Sequence, residues 1–523
     1  MNMKHKSNLF VILLFFPILL YVFLVGLKGI DFGKHWDEQK MIKSVEISVA
    51  SGLLLPQHYK YPSVSYDIAL LGIIPEAFSY ILKSNSIEEI QENFQTKLKD
   101  IINQNDFKIR IRSIFLFLTL ISYIWVFFLI LIWRNNSIEA LLGATLLISS
   151  WELHYHARWI APDGLMMQFG ILSMLLMYLA IKVKKYSFFV LRISAIVVGI
   201  ACGSKYPGGI FLLPLIYTVY LVNSKTQQKH LKVYEYLIII LIFMVTFIVS
   251  TPGAIIEPIS FIKDIVYEIN HYKSGHGGYT VDSITHHSWL MFNYFTFAIF
   301  SKYGLLAFVL FVFVCFGIYD LILNEKRNIA IWFFMVPIFY LLYFANQKVM
   351  IVRNLLVLLP FLAILASRGI SYCIIQLVQT KKIRILLSIG ICVIILVNLA
   401  WLHRAAESIS YRAVINHRVN IISYLAAHSN DKYFLSDMIN EMVKSCINVG
   451  QINVTDVVEK ADYVIFSSDE IKPRTKWIVN QHGTYKMVSG INVVNDDYYS
   501  TWAGDMRILA VNKDIAKRLG LID

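Results

Sequence analysis

Long, uninterrupted apolar stretches recur along the chain between short polar gaps, and this alternation predicts the architecture. The first stretch, LFVILLFFPILLYVFLVGL, is followed by others, giving candidate spans at about 9–29, 111–133, 137–151, 163–182, 186–203, 206–223, 233–250, 302–322, 329–345, 351–373 and 384–402. A helix needs roughly 20 apolar residues to cross a hydrocarbon core of about 30 Å. Most of these meet that length; the third is short and reads equally well as a half-inserted helix. The first is too long for a removable signal sequence and lacks a small-residue cleavage site, so it reads as a retained anchor. Between the first two spans the pattern changes. DEQKMIKSVEISVASGLL places Met41, Val45, Ile47, Val49 and Leu53 among polar residues, as expected of an amphipathic helix lying on a membrane surface, and KYPSVSYDIALLGIIPEAFSYILK begins a second such segment. After Trp401 short apolar runs (ADYVIFSS, TKWIVN, MRILAVN) read as strands, and HRVNIISYLAAHS and INEMVKSCINVG read as helices. The expected fold is an α-helical polytopic membrane protein with about eleven transmembrane helices and juxtamembrane helices, residues 1–402, followed by a small α/β extramembrane domain, residues 403–523.

Composition agrees with that pattern. Of 523 residues, 57% are hydrophobic and 16% charged, more apolar surface than a soluble globular chain can cover. The net charge of +13 would suggest nucleic acid if the basic residues formed one patch, but they do not. MNMKHK precedes the first span, Arg134 follows the second, KVKK the fourth, NSKTQQKHLK the sixth, NEKRN the eighth and QTKKIR the tenth. Basic clusters in alternate gaps mark the cytoplasmic side, so the excess charge is mostly a topology signal, and nucleic-acid binding is not expected. The N-terminus is then inside. The 30–110 loop, the turns at 152–162 and 204–205, the 251–288 loop and the C-terminal domain are outside. Cys202, Cys315, Cys373 and Cys392 lie in apolar spans and Cys446 stands alone, so no disulfide framework is expected.

The residues with chemistry collect on that outer side. Asp37 and Glu38 follow the anchor at the start of the first surface helix, where the helix dipole favours an ionised carboxylate. In SWELHYHARWIAPDGLMM, Pro162 fits a first helical turn and puts Asp163 at the helix N-terminus, with Arg158, His156, His154 and Glu152 just upstream. Such a run is costly against lipid and reads as facing a polar cavity, or as a local Arg158–Asp163 pair orienting the turn. The spacing of Glu152, His154 and His156 is not a recognised metal-ligand pattern. Lys205, Lys348 and Arg353 lie in outer gaps, where the charge bias does not account for them. A phosphate at the membrane surface would, and so would snorkelling to headgroups. YEINHYKSGHGGYTVDSITHHSW, with His271, His276, His286 and His287 around a glycine-rich centre, reads as a mobile flap or an ordinary exposed loop.

Taken in order, these pieces form a pattern: an anchor helix, an outer Asp-Glu, GLLLP…YKYPS, ARWIAPD, a lysine after a small-residue turn, and K…RNLLVLLP. Over roughly residues 1–400 it resembles the GT-C membrane glycosyltransferases, in particular the branch containing protein O-mannosyltransferases and aminoarabinose transferases (glycosyltransferase families 39 and 83). The resemblance implies a polyprenyl-phosphate sugar donor and transfer on the outer face of the plasma (inner) membrane. It implies Asp37 as the catalytic acidic residue, Glu38 as its partner and Asp163 as the second acidic position. Lys60, Arg158, Lys205, Lys348 and Arg353 would face the donor phosphate. Tyr61, Glu152, His156 and His276 are candidates for acceptor contact or a lid. The chain departs from the branch at Tyr59, Tyr61 and Ser63 around Lys60, and at Asn354 after Arg353. The acceptor would be a hydroxyl of a lipid, glycan or protein. No cofactor is called for, no metal ligands are assigned, and a divalent metal is left open. A flippase for lipid-linked sugars would share the cations but place ionisable groups within the spans, whereas a glycan polymerase or ligase would share both donor and topology.

Overall fold

The computed structural model describes residues 3–32, 35, 37–84, 86–102, 104–183, 185–225, 232–276, 279–413, 417–443, 453–467, 485–489, 508–518, 520 and 522. The chain forms two compact units, one from Met1–Leu27 and Asp37–His403, the other from Lys28–Trp36 and Arg404–Asp523.

Among the described residues the first unit contains the helices that the apolar stretches predict. Eleven helices are long and apolar enough to cross a membrane, and ten of them coincide with expected spans. The eleventh differs. Ser137–Ile148 has only 12 residues, about 18 Å of helix at 1.5 Å per residue, too short for the hydrocarbon core. In its place Val64–Lys83, expected to lie on the surface, qualifies: Val64–Leu71 and Ile74–Lys83, joined through Gly72 and Ile73, make a stretch of 20 apolar-rich residues. The first surface segment, by contrast, is the amphipathic helix Glu38–Ser51, which buries Val45 and Val49 and ends at Gly52 in the left-handed conformation.

Packing in the bundle relies on small residues where backbones meet. Helices Gly304–Asn324 and Leu359–Tyr372 touch through Gly317 and Gly369. A β-carbon on Gly317 would strike the Leu365 carbonyl, and one on Gly369 the Phe313 carbonyl. Close backbone approach of this kind is how helices associate in lipid, where burying apolar surface gives no advantage over the lipid itself. Near one end of these helices a polar network ties elements together: Arg368 donates to Asp320 at 2.5 Å and to Glu325 at 3.4 Å, and Trp133 Nε1 donates to Glu325 at 2.8 Å.

The second unit holds a four-stranded sheet. Strands β1 (Tyr433–Leu435), β2 (Tyr463–Ser467), β3 (Tyr485–Ser489) and β4 (Ile508–Asn512) lie in the order β1-β2-β4-β3. The first pair is parallel and the others antiparallel, with Ile465 opposite Ala510 in the central pair. Alternation sends Ile465, Ile508 and Ala510 to one face with Ile421 and Leu425 of helix His417–Ala427, and Val464, Phe466, Leu509 and Val511 to the other. Two of the three expected strands appear as β2 and β4. TKWIVN lies outside the described residues, as does the end of the second expected helix, which forms over Asp437–Val443.

Candidate active site

Four charged side chains from four distant parts of the first unit meet at the ends of its helices. Asp37 stands at the start of helix Glu38–Ser51, but its carboxylate does not cap that helix. It accepts instead a hydrogen bond from Arg353 Nη1, closing an ion pair across 316 positions of sequence. Arg353 sits in the short 3₁₀ helix Val352–Leu358, with its guanidinium 5.4 Å from the centre of the Trp159 ring. Its Nη2 donates to the Tyr61 hydroxyl at 3.2 Å, and its Nε lies 3.9 Å from Asp163 Oδ2. Asp163 is the second residue of helix Pro162–Lys182, where the dipole favours a carboxylate. Lys205, between helix Ser187–Ser204 and the following 3₁₀ turn, donates from Nζ to Asp163 Oδ1 and to Asn354 Oδ1, each at 2.5 Å. Asn354 is held in turn, its amide donating to the Tyr272 hydroxyl at 3.2 Å and its carbonyl accepting from Tyr340 at 2.6 Å.

The chain Asp37–Arg353–Asp163–Lys205 thus alternates in sign and sums to zero. Asp163, Lys205 and Arg353 are all buried, at 1%, 5% and 8% exposure. An isolated ion at that depth would cost several kcal/mol, so the alternation is what permits the burial. It also leaves two cations balanced only by carboxylates of the protein itself, an arrangement that a phosphate can enter by exchange.

The two neighbouring acids have separated. Residues adjacent on a helix point about 100° apart, and Glu38 turns to a different partner. Its carboxylate takes Nε and Nη2 of Arg112 at 2.9 and 2.6 Å and the Ile160 amide at 3.1 Å, with both side chains fully or nearly fully buried. Glu38 therefore fastens the start of its helix both to helix Asn105–Leu120 and to the loop that leads into Asp163.

A cavity of about 510 Å³ opens beside the charged chain, lined by Lys60, Tyr61, Lys205, Glu268, Tyr272 and Tyr343 among others. Lys60 rests its ammonium 3.6 Å over the Tyr267 ring. The loop presenting Lys60 and Tyr61 is pinned through Tyr59, whose amide donates to Asp264 at 2.6 Å, whose hydroxyl donates to Glu257 at 2.5 Å and whose carbonyl accepts from Tyr206 at 2.7 Å. Burial pushes the Tyr61 phenol well above its ordinary pKa, so it remains a hydrogen-bond donor. Gly253 leaves room for Tyr59, since any β-carbon there would collide with the phenol ring. Gly253→Leu is expected to cost about 1–3 kcal/mol in unfolding measurements on the detergent-solubilised protein. Tyr59→Ala in the same chain should recover part of it, and a Gly253→Leu protein of unchanged stability would show that the contact is not tight.

The other residues singled out from sequence are placed differently. Arg158 donates to the Val25 carbonyl at 2.8 Å, and Asp163 takes Lys205 as its close cation, so the alternative reading of this turn, a local Arg158–Asp163 pair, is not what orients it. Lys348 is exposed; its backbone, not its ammonium, is used, donating to Tyr272 O at 2.9 Å and accepting from Val281 at 2.8 Å. Glu152 and His156 lie 3.2 Å apart, one helical turn from each other and both buried. The 267–289 loop is largely helical. Helix Pro258–Ser274 runs into it, helix Ile284–Phe297 leaves it, and Thr280 bridges Val349 antiparallel just before Arg353. His276 packs edge-on to His271 and stacks on Tyr279; burial, then the charges of His271 and Arg353, hold its pKa below the ordinary histidine value. Among the described residues no group of three or more His, Cys, Asp or Glu side chains is disposed to hold a metal ion.

Sequence reasoning missed Arg112, Asn354, Tyr272 and Tyr340. Arg112 did carry a signal, a charge at the start of the apolar stretch 111–133, where the polar first half of helix Asn105–Leu120 ends. Asn354 was visible only as a departure from a motif, and the two tyrosines as two among 30.

The profile of a family described as dolichyl-phosphate-mannose-protein mannosyltransferase matches residues 94–251, a segment that contains Arg112, Asp163 and Lys205. No curated protein matches the chain. Among solved structures, ArnT from Cupriavidus metallidurans in the apo state is similar over 95% of this chain and 97% of its own, with 11% identity and a TM-score of 0.47. The same protein bound to undecaprenyl phosphate gives 12% identity and a TM-score of 0.45 over the same shares. The archaeal oligosaccharyltransferase AglB from Archaeoglobus fulgidus, in complex with an inhibitory peptide and a dolichol-phosphate, covers 90% of this chain and 72% of its own, with 10% identity and a TM-score of 0.46.

Proposed function

We propose that this protein is a glycosyltransferase that moves a sugar from a polyprenyl-phosphate donor to a hydroxyl of a lipid, glycan or protein acceptor, on the outer face of the plasma membrane. The observation that carries the reading is the junction of Arg353 with Asp37 and Asp163 beside a cavity reached through Tyr61 and Lys205. It sets a candidate base against candidate phosphate ligands. The family profile matched over 94–251 carries the name of a donor of this kind, dolichyl-phosphate-mannose.

Asp37 and Arg353 satisfy each other. A donor phosphate competes for Arg353 and, through the cavity, for Lys205 and Lys60, because charge-assisted bonds to a phosphate replace those to a carboxylate at little net cost. Asp37 is then released to accept the proton of the acceptor hydroxyl. The acceptor oxygen bonds to the anomeric carbon as the bond from that carbon to the phosphate oxygen breaks. The proton stays on Asp37, and the leaving phosphate goes from one negative charge to two, held by Arg353 and Lys205. A single displacement inverts the anomeric centre. Glu38 positions Asp37 through Arg112, and Asp163 positions Lys205 and Arg353. The apolar remainder of the cavity wall, Ile265, Ile269, Pro207 and Phe344, suits the first isoprene units. The outward face is supported by the basic MNMKHK ahead of the first span, which leaves Asp37 on the opposite side of the membrane.

The test is transfer of radiolabelled sugar from synthetic undecaprenyl-phosphate sugars to membrane fractions by the purified protein. The reading requires label to leave the prenyl lipid. Movement of intact lipid-linked sugar across proteoliposomes without loss of the sugar would identify a flippase instead.

A further inference from the structure

A site that grips a leaving phosphate also tends to keep it. Three lysines line the cavity, Lys60, Lys205 and Lys273, with Arg353 behind Tyr61. By the proposed reaction the donor is a phosphodiester with one negative charge and the product a monoester with nearly two at neutral pH. These cations alone would hold the product more tightly than the donor. The same wall carries one carboxylate, Glu268, on the face of helix Pro258–Ser274 that also presents Ile265, Ile269 and Tyr272. Unlike Asp37, Glu38 and Asp163, it makes no hydrogen bond or ion pair with any described residue. A half-buried carboxylate without a partner gains nothing for the fold. Burial works against its ionised form, while Lys205 and Lys60 favour it.

We infer that Glu268 is a specificity-determining residue that discriminates by charge between the two lipids, repelling the dianionic product more than the monoanionic donor and so promoting product release. The inference rests on the reading of the cavity as the donor-phosphate site. Repulsion by one carboxylate scales with the charge of the ligand. Removing it therefore multiplies affinity for a monoanion by some factor and affinity for a dianion by the square of that factor. A factor of about 3 for the diester becomes about 10 for the monoester, within the range expected of charges separated by a cavity of this size.

The experiment measures binding of undecaprenyl phosphate and of its methyl diester to the full-length protein in detergent at pH 8, by quenching of tryptophan fluorescence. Glu268→Gln is expected to bind the monoester about tenfold more tightly and the diester only about threefold. Glu268→Ala, read the same way, serves if the glutamine variant does not fold. Equal gains for both lipids, no gain, or weaker binding of either overturns the inference. Lys205→Met separates the two readings: lipid binding to the wild type that is indifferent to Lys205, or absent, overturns the phosphate-site reading and this inference with it. Lysine-dependent binding with equal gains overturns the inference alone.

Discussion

Asp37→Asn is expected to lower sugar transfer about a thousandfold, within the range of general-base catalysis, while tightening the binding of polyprenyl phosphate. The second half of this expectation sets the proposed role apart from a merely structural one. Arg353 now spends a charge-assisted bond on Asp37. An asparagine still accepts a hydrogen bond there but no longer competes as an anion, so Arg353 becomes more available to a phosphate. A residue that only shaped the pocket would lose binding and turnover together. Single-turnover transfer and lipid binding measured on the same preparation decide between the two. Full transfer by Asp37→Asn removes it as the base, and weaker lipid binding removes the competition between Asp37 and the phosphate.

Glu38→Gln is expected to act on stability first. Breaking a buried ion pair by neutralising one partner leaves the other charge uncompensated, at about 3–5 kcal/mol, and Arg112 is fully buried. The variant should melt well below the wild type in detergent. Transfer should fall with it, because the same carboxylate holds the Ile160 amide ahead of Asp163. Glu38→Leu combined with Arg112→Met should recover much of the stability, since a well-packed apolar pair often equals a buried ionic one. A single variant as stable as the wild type would mean that the pair contributes little. Two adjacent acids, one failing in chemistry and the other in folding, is the pattern expected from their different partners.

The sequence made the membrane helices legible because each carries its own signal, about 20 apolar residues, whatever its neighbours do. The exchange of Ser137–Ile148 for Val64–Lys83 marks the limit of that rule. Ser137–Ile148 is apolar enough but too short. Val64–Lys83 reaches spanning length only when its two helices are joined across Gly72 and Ile73. At the site, position was legible and pairing was not. Asp37, Asp163, Lys205 and Arg353 all stood out as charges at span ends, and the fold brings them into one chain of contacts. Nothing in local spacing could say that Asp37 meets Arg353 while Glu38 meets Arg112, because those partners lie 316 and 74 positions away. Arg158 and Lys348 carried the same surface signal as Lys205. In the fold Arg158 donates to the Val25 carbonyl and Lys348 is exposed. The segment 267–289 was harder to read for a related reason. Glycine and histidine content suggested an open loop, whereas helical propensity on both sides and the Thr280–Val349 bridge shorten it.

The most direct measurement is a density map of the Asp37→Asn protein, stalled before transfer, with an undecaprenyl-phosphate sugar bound. We expect the lipid phosphate in the cavity beside Tyr61, with oxygens at about 3 Å from Arg353 and Lys205 and residue 37 facing the acceptor side. A phosphate bound elsewhere, with the Arg353–Asp163–Lys205 chain unchanged and closed, would contradict the account.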